Sequence, residues 1–393
     1  MRRRASALLA TALAAATSVE LETASWADDT EHASLRAELG VEYDTNAQRT
    51  ELVGSSNPPI VQSPLGRGVL TGALSDVIAP GQTIALAATL GGKLFTKPEA
   101  RTENVGVVST SAQWRLRMAE RANLGVAGFY YEAFQQGDQL TTSGTASQRG
   151  DFRSLAPSAR VGFFVDDHAE LALTGGYRLL VFKPNLDYSF SAPTGALDLR
   201  WLSENAEAGV DWELGAGIGF ERRVFEGPAL TKGTCPATAS GTCPPVRTAL
   251  GRRDEFATGH IELTRTGLFL VGLGYIVHWN SSNSVGETLQ RHFVSLRLTT
   301  GLPLGLYLAA RGELLIARYA DPVVLASATA SQSNYPDIDR ENRSSLRVDL
   351  SRALTDSLQL IARYTIYVNE LGDSVGQYHR QTALLSLAFT LDK

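Results

Sequence analysis

The sequence contains little of what would stabilise a small secreted scaffold or a helical membrane protein. Its 393 residues include two cysteines, too few for a framework of disulfides. Beyond roughly the first 20 residues there is no run of about 18 apolar residues, so a membrane-spanning helix is not expected. With 44% hydrophobic and 20% charged residues, the chain is also too apolar to be disordered.

The charge balance and the histidines exclude further classes. Proteins that bind a nucleic acid duplex are normally basic, whereas this chain has a formal net charge of −5 at pH 7, so nucleic acid is not an expected partner. None of the six histidines has another four residues away, a spacing that suits metal ligands on a helix. We therefore expect neither a metal nor another cofactor.

The first residues have the composition of an export signal. Arginines at positions 2–4 precede an apolar segment, 5–19, that is rich in alanine and leucine. Small residues flank a tryptophan just before position 28, which suits cleavage after Ala27. We expect residues 1–27 to be a secretory signal peptide. Residues 28–393 contain no linker or step in composition, and we interpret them as one domain.

The dominant period after the signal is two. From Leu35 to Tyr43 the odd positions are apolar and the even positions are charged or glycine. A strand places these two sets on opposite faces, whereas a helix would scatter them. The same alternation predicts about 16 strands, with 14 to 18 as the range. The candidate strands are 33–44, 67–78, 83–96, 105–118, 123–135, 152–165, 169–182, 186–202, 207–222, 253–264, 267–280, 288–300, 304–319, 343–354, 357–370 and 380–391.

The connections between these strands alternate between short and long. Tight polar turns, such as the one at 166–168, separate some strands, and long polar segments separate others. Short turns on one side and long loops on the other are typical of outer-membrane barrels, in which the short turns face the periplasm. An even strand count then places both termini on the periplasmic side. The long segments are 45–66, 136–151, 223–252 and 320–342.

The fold class that this pattern favours is all-β: a single transmembrane, antiparallel, up-and-down β-barrel. The strands are longer than the five or six residues usual in globular proteins, and aromatic residues near their ends suit the headgroup level of a bilayer. The alternative is an exported soluble β-protein, in which the same aromatic residues would belong to an ordinary core. The aromatic residues concerned are Tyr43, Trp114, Tyr130, Trp201, Trp279 and Tyr319.

Over 28–393 the chain resembles bacterial outer-membrane β-barrel proteins of the porin-like class. The resemblance implies an outer-membrane location, contact with outer-membrane lipid, and insertion by the outer-membrane assembly machinery. That machinery reads a terminal aromatic residue, for which Phe389 is the candidate. The string Val41-Glu42-Tyr43-Asp44-Thr45-Asn46 also resembles the opening of barrels found beside polysaccharide-export systems. This second resemblance implies a periplasmic or polysaccharide-export partner.

Charged residues of both signs occupy the positions predicted to face inward. They could line a pore and sort small solutes by charge, or they could be paired charges that fill the lumen. Four arginines on neighbouring strands suggest a basic stripe on one wall. The candidate pore-lining residues are Arg36, Glu38, Arg115, Arg117, Glu170, Arg178, Asp211, Glu213, Arg297, Arg311, Glu313, Arg347, Asp349 and Arg363, with Asp198, Arg200 and Glu262 at similar positions.

Small residues at the inward positions of the candidate strands favour an open lumen. Glycine and alanine recur at inward positions of several candidate strands, which argues against a lumen packed with side chains. We therefore expect a passive channel for small hydrophilic solutes with weak anion preference. The alternative is a non-conducting structural or export-partner barrel. The small inward residues are Gly125, Ala127, Gly162, Gly176, Gly215, Gly217 and Gly219.

Two further features of the sequence are candidate sites. Cys235 and Cys243 lie in the long segment 223–252, and in an exported protein we expect them to form a disulfide. His260 and Glu262 share one face of a candidate strand and could form an orienting pair of a hydrolase. A histidine without catalytic function is the simpler interpretation, and we do not expect an enzyme.

Overall fold

The fold was analysed in a computed structural model, which describes residues 32–48, 50, 59–135, 151–183, 185–205, 210–233, 245–320, 344–368, 371–372 and 379–392. The expected signal peptide and both cysteines lie outside these residues. The described part of the chain consists almost entirely of strands. They are β1 (His32–Asp44), β2 (Ser63–Ala79), β3 (Gln82–Phe95), β4 (Val105–Ala119), β5 (Ala122–Gln135), β6 (Phe152–Phe164), β7 (Ala169–Phe182), β8 (Phe190–Asn205), β9 (Val210–Thr231), β10 (Val246–Thr266), β11 (Phe269–Ser282), β12 (Leu289–Leu302), β13 (Leu306–Tyr319), β14 (Ser344–Ala353), β15 (Leu358–Val368) and β16 (His379–Asp392).

These sixteen strands close into one antiparallel barrel. Each strand pairs with the next along the chain, and β1 pairs with both β2 and β16. A two-residue segment, Leu371–Gly372, adds a short parallel pairing to β13. Short 3-10 turns occur at Pro98–Glu103, Leu186–Tyr188 and Pro303–Gly305. No helix among the described residues is long and apolar enough to cross a membrane. The predicted fold class and strand count are confirmed.

The largest difference from the sequence prediction lies in β9 and β10. We expected a loop from 223 to 252, but β9 continues to Thr231 and β10 begins at Val246, where the two pair. Gly227 and Pro228 on β9, and a register shift around Gly251 on β10, interrupt the alternation. Glycine and proline read as loop residues in a sequence, although both occur at bulges in strands.

The extra residues of β9 and β10 form a two-stranded arm. The last β8 partner of β9 is Phe225, and the last β11 partner of β10 is Asp254. Beyond these positions, β9 and β10 pair with each other and have no other strand partner among the described residues. We call residues 226–231 and 246–253 the arm.

The distribution of apolar side chains distinguishes a membrane barrel from a soluble one. On β1, Leu39 and Val41 are 69% and 68% exposed, while the alternating Glu38 and Glu42 are 6% and 4% exposed. A soluble barrel would bury the leucine and expose the glutamates. The reversed pattern gives the barrel an apolar outer face that only lipid can cover, and we call the opposite side the inner face.

Aromatic side chains form belts on the outer face. Trp201, near the periplasmic end of β8, is 40% exposed, and Tyr43 and Trp279, near the opposite ends of β1 and β11, are 45% and 46% exposed. Amphipathic rings at these levels suit the lipid headgroups. The prediction is wrong for Tyr319. On β13 it lies an even number of residues from Arg311, so both side chains are on the inner face.

The turn between β6 and β7 shows how the periplasmic hairpins are closed. The backbone amides of His168 and Ala169 each donate a hydrogen bond of 2.7 Å to Asp166 Oδ1. These two bonds stabilise the ionised carboxylate and hold the pKa of Asp166 below its usual value. A side chain that caps its own turn favours the tight connection predicted at this position.

The first and last strands are joined by a buried ion pair. Asp44 is fully buried at the end of β1, and Arg380 Nε donates to both of its carboxylate oxygens at 3.0 Å. Asn46 Nδ2 donates to the carbonyl of His379 at 3.3 Å, and the Thr45 amide donates to the carbonyl of Gln381 at 3.0 Å. The string around Asp44 therefore closes the barrel.

Replacing Asp44 tests this closure. The Asp44→Ala variant removes the carboxylate bound by the buried guanidinium of Arg380, and breaking a buried pair in this way costs about 3–5 kcal/mol. We expect the free energy of unfolding in detergent, followed by tryptophan fluorescence in urea, to fall by that amount. Asp211→Ala removes an exposed inner-face carboxylate as the control, and an equal loss in both variants would contradict the closure.

The orientation of the barrel is tested by labelling. Leu250 in the arm and Leu268 in the β10–β11 turn are 68% and 86% exposed. In a background with Cys235→Ser and Cys243→Ser, the Leu250→Cys variant should react with an impermeant maleimide on intact cells. The Leu268→Cys variant should react only after the outer membrane is permeabilised. The reverse result would invert the orientation.

Candidate pore-lining site

All the residues predicted to line the lumen lie on the inner face of their strands. The alternation within each strand places them opposite the exposed apolar residues of the outer face. Their arrangement differs between two sides of the barrel. Strands β12 to β16, together with β1 to β3, carry a dense set of basic residues, while β4 to β9 carry scattered ion pairs and an apolar cluster.

Three of the four arginines of the predicted stripe lie directly opposite one another. Arg297 on β12 faces Arg311 on β13, and Arg311 faces Arg347 on β14. Arg363 on β15 is offset, because its β14 partner is Asp349. We call Arg297, Arg311 and Arg347 the basic row. Adjacent strands are about 4.8 Å apart, so the row brings three guanidinium groups onto neighbouring positions of one wall.

Each arginine of the basic row binds a carboxylate. Arg297 Nη2 lies 2.7 Å from Glu262 Oε1, and Arg311 Nε lies 2.6 Å from Glu313 Oε1. Asp349 serves two arginines, with distances of 2.8 Å to Arg347 Nε and 2.6 Å to Arg363 Nε. The sequence predicted the row and placed its three carboxylates at inward positions, but the sharing of Asp349 depends on cross-strand register.

Next to the row, a second group of charges surrounds two glutamates of β1. Glu38 lies 3.9 Å from Arg36 and 4.0 Å from Arg67, and Arg363 approaches it to 3.9 Å. Glu42 binds Lys93 at 3.1 Å and Arg67 at 3.8 Å. Arg67, Lys93 and Glu42 were missing from the predicted set. The alternation of β2 and β3 could have placed Arg67 and Lys93 inside, but flanking glycines obscured it.

These two groups form one wall with a positive excess. Among the ion pairs of the described residues, seven cations and five carboxylates take part. We call this set the basic wall. Five of its residues, Glu38, Glu42, Arg67, Lys93 and Arg347, are buried, which strengthens their interactions relative to exposed pairs. It comprises Arg36, Arg67, Lys93, Arg297, Arg311, Arg347 and Arg363, with Glu38, Glu42, Glu262, Glu313 and Asp349.

On the other side of the barrel, the described cations and carboxylates form smaller, separate groups. Glu170 accepts from Asn123 at 3.0 Å and lies 3.2 Å from Arg160. Arg200 binds Glu213 at 2.6 Å. Arg178 lies 3.2 Å from Glu221, which also binds Arg223 at 2.6 Å. Because these charges largely cancel, this side contributes less to any net preference for anions or cations. The remaining predicted residues of this side are Arg115, Arg117 and Asp211.

Two of the small inward residues have a specific steric reason. A Cβ at Gly162 would collide with the side chains of Glu170 and Asn123. A Cβ at Gly217 would collide with Asp198 and lie 2.5 Å from the ring of His260. At these positions glycine makes room for neighbouring polar side chains, so their small size does not by itself indicate open space.

The pairing of His260 with Glu262 is not found. Glu262 accepts a hydrogen bond from Arg297 Nη2 at 2.7 Å. His260 Nε2 instead lies 3.7 Å from Asp198 Oδ1 on β8. The geometry therefore does not support the orienting pair considered from the sequence, because the carboxylate assigned to it is engaged by the basic row.

An apolar cluster on the inner face, toward the extracellular ends of β4 to β9, was not predicted. The rings of Tyr131 and Phe152 are 5.3 Å apart, and those of Phe190 and Phe225 are 5.2 Å apart. Arg223 stands over the ring of Phe190 at 4.8 Å. All four rings are buried. Their positions follow the same alternation as the charges, so inward parity could have identified them.

A polar network joins the arm to the β11–β12 loop. Arg252 Nη2 lies 2.6 Å from Asp254 Oδ2, and Arg252 Nη1 lies 2.8 Å from Glu287 Oε1 in the β11–β12 loop. The Leu230 amide donates to Ser284 Oγ at 3.0 Å. Burial raises the pKa of Glu287, and the nearby Arg252 only partly offsets this. The network holds the arm against the mouth of the barrel.

These features define the class of membrane protein to which the barrel belongs. A closed antiparallel barrel of sixteen strands, with a lipid-facing apolar outer face, aromatic belts and a charged inner face, is a porin-like barrel of the bacterial outer membrane. No family model matches the sequence, and neither does any curated protein.

Several solved structures are similar to the barrel. The chain aligns with CdiB from Acinetobacter baumannii at a TM-score of 0.47 and 11% identity, covering 91% of this chain and 60% of CdiB. It aligns with a BenF-like porin from Pseudomonas fluorescens Pf-5 at a TM-score of 0.44 and 10% identity, covering 92% and 99%. For the outer-membrane protein OpdK from Pseudomonas aeruginosa the TM-score is 0.41 and the identity 11%, covering 92% and 99%. The chain thus spans 60% of the length of CdiB.

Proposed function

We propose that the barrel is a passive channel for small hydrophilic solutes, with a weak preference for anions. The observation that carries this proposal is the basic wall, whose seven cations face five carboxylates on the inner face. Barrels of 16 to 18 strands leave an aqueous channel, whereas those of eight strands are filled by side chains. The strand count and the charged lining together support conduction.

The pairing within the wall explains why the preference is weak. Every arginine of the basic row has a carboxylate within 2.8 Å, so most of its charge is neutralised locally. A passing ion would therefore meet mainly the dipoles of these pairs, together with the small excess of cations among the described residues of the wall. Across the lumen lies the apolar cluster on β4 to β9. A small polar solute would orient between these unlike walls, because charged linings act on solutes electrostatically.

The alternative function is a barrel that does not conduct alone and serves as a structural or export-partner component. The burial of the inner-face rings favours it, since Phe190 and Phe225 are only 3% and 5% exposed and this part of the inner face is packed with side chains. We also propose that the barrel contacts the outer-membrane assembly machinery and a polysaccharide-export partner. Conductance distinguishes the two functions directly.

Replacing the arginines tests the channel. The variant Arg297→Ser, Arg311→Ser, Arg347→Ser, Arg363→Ser removes four positive charges from the basic wall, so that the carboxylates outnumber the cations among its described residues. In planar bilayers with a KCl gradient, we expect the reversal potential to move toward cation preference, with unchanged membrane insertion.

A matched variant on the other side separates the wall from the total charge. Arg115→Ser, Arg117→Ser, Arg160→Ser, Arg200→Ser also removes four inner-face arginines. We expect a smaller shift of the reversal potential for this variant. An equal shift would assign selectivity to total lumen charge, and no shift in either variant would show that the basic wall does not face the conducting path.

A further inference from the structure

We infer that the outer face of the barrel has a binding site for one phosphate-bearing lipid of the outer leaflet, at the extracellular ends of β1 to β7. Two cations, Arg153 and Lys183, bind the phosphate, and an apolar groove beside them holds an acyl chain. The inference goes beyond the proposed function, because the site faces lipid and does not require the barrel to conduct.

A charged cluster interrupts the apolar outer face near the extracellular ends of β5 to β7. On β5, Glu132 shares the outward parity of Phe134, whose ring is exposed, and Arg153 directly opposes Glu132 on β6. Lys183 follows the last residue of β7 at the same end. Charge on a lipid-facing surface is costly at the middle of the bilayer and tolerated near its interfaces. We therefore place the cluster at the level of the lipid headgroups.

The cluster has one carboxylate for two cations. Glu132 Oε1 lies 2.6 Å from Lys183 Nζ and 3.5 Å from Arg153 Nη2. Tyr130 donates to the other oxygen, Glu132 Oε2, at 2.5 Å. The carboxylate of Asp151, just before β6, accepts from a backbone amide of β5 instead. Arg153 makes one long contact and its side chain is 51% exposed, so most of its donors remain available to an acceptor outside the described residues.

Beside the cluster lies an open, mostly apolar groove of about 790 Å³ on the outer face. Its floor includes a register row in which Gly68, Gly92 and Gly106 oppose one another across β2, β3 and β4. The row ends at Leu39 on β1 and at Phe134 on β5, both of which are exposed. Large side chains at the two ends and none between them give the groove its depth.

Packing within the protein does not explain two glycines of the groove. A Cβ at Gly66 would meet nothing within 4 Å, and one at Gly106 would meet only the carbonyl of Gly91, at 3.9 Å. At Gly162 and Gly217, by contrast, neighbouring polar side chains occupy the space. Glycine weakens a strand, and it marks sites that a ligand approaches closely. The unfilled space over the groove is therefore available to a ligand from the lipid side.

The charged cluster and the groove meet at Phe134. Its ring lines the groove, and Lys183 Nζ stands over the same ring at 5.1 Å. A ligand that contacts both features needs an apolar chain next to a negatively charged group. Lysine and arginine bind phosphate through charge-assisted hydrogen bonds, and basic clusters at the membrane surface recognise anionic lipids. A phosphate-bearing lipid meets both requirements, whereas a free phosphate ion would contact the cations alone.

The test is native mass spectrometry of the refolded full chain in detergent micelles, titrated with lipid A, a phosphorylated lipid of the bacterial outer leaflet. We expect saturable binding of one lipid per barrel. Arg153→Gln or Lys183→Gln should each weaken it about fivefold, the effect of one basic residue close to an anionic headgroup. Since Lys183 lies outside the strands, Lys183→Gln replaces Arg153→Gln if the latter does not fold.

Arg222→Gln is the matched control for charge. Arg222 has the outward parity of the exposed Phe220 near the extracellular end of β9, its side chain is 48% exposed, and it lies 3.9 Å from one glutamate. This variant should bind the lipid within twofold of the unmodified barrel. Equal weakening in Arg222→Gln and Arg153→Gln would show a general surface attraction and overturns the site.

Glu132→Gln should change the affinity in the opposite direction. It removes the carboxylate that competes with phosphate for Arg153 and Lys183, so lipid binding should become about fivefold tighter. If the cluster served only to hold the strands together, this variant would weaken binding as much as Arg153→Gln does. That result overturns the inference.

Gly106→Val tests the groove. The valine side chain fits the protein but fills the groove, so lipid binding should fall at least fivefold while the urea midpoint of unfolding is not lowered. Gly128→Val is the matched control, because Gly128 also has the outward parity of β5, lies outside the groove, and would place its Cβ with nothing within 4 Å. Equal weakening in the two variants overturns the assignment of the acyl chain to the groove.

The remaining outcomes separate other occupants of the site. Equal affinity for phosphatidylcholine, whose headgroup has no net charge, displacement of the lipid by inorganic phosphate, or a dimer that forms in place of the lipid complex each overturns the inference, as does the absence of saturable binding. Lipid binding by a barrel that does not conduct would retain the site and overturn the channel. Conduction without lipid binding would do the reverse.

Discussion

The need to pair every backbone amide and carbonyl within lipid governs this structure. An all-β chain meets that need only by closing its sheet, so β16 must return to β1. Closure in turn fixes which residues face the lumen. Each strand of the closed barrel has one face toward lipid and one toward the lumen, and successive residues alternate between them. The buried pair of Asp44 and Arg380 lies at this seam, where the two ends of the chain meet.

The inner face follows from the same closure. Charges that would be costly in lipid are collected inside, where they bind one another across strands. Among the described residues of one wall the cations outnumber the carboxylates, and Asp349 is shared between Arg347 and Arg363. On the opposite side, pairs such as Arg200 with Glu213 cancel, and buried rings replace charge near the mouth. The lumen is thus asymmetric across its width.

Period-two alternation was enough to predict the sixteen strands, the inner face and the neighbouring strands of the basic row. It failed where glycine and proline interrupt a strand, as at Gly227 and Pro228 in the arm. It also could not supply the carboxylate of each arginine, since Arg297 binds Glu262 two strands away. Such contacts depend on register and side-chain reach, which alternation within one strand does not encode. The steric role of Gly217 beside Asp198 was hidden for the same reason.

The measurement that tests the account most directly is the single-channel conductance of the unmodified barrel in a planar bilayer, recorded across a KCl gradient. A closed barrel of sixteen strands with an excess of cations on one wall should conduct and should show a reversal potential displaced slightly toward anions. Stable insertion without any conductance would contradict the account and would favour the structural or export-partner barrel.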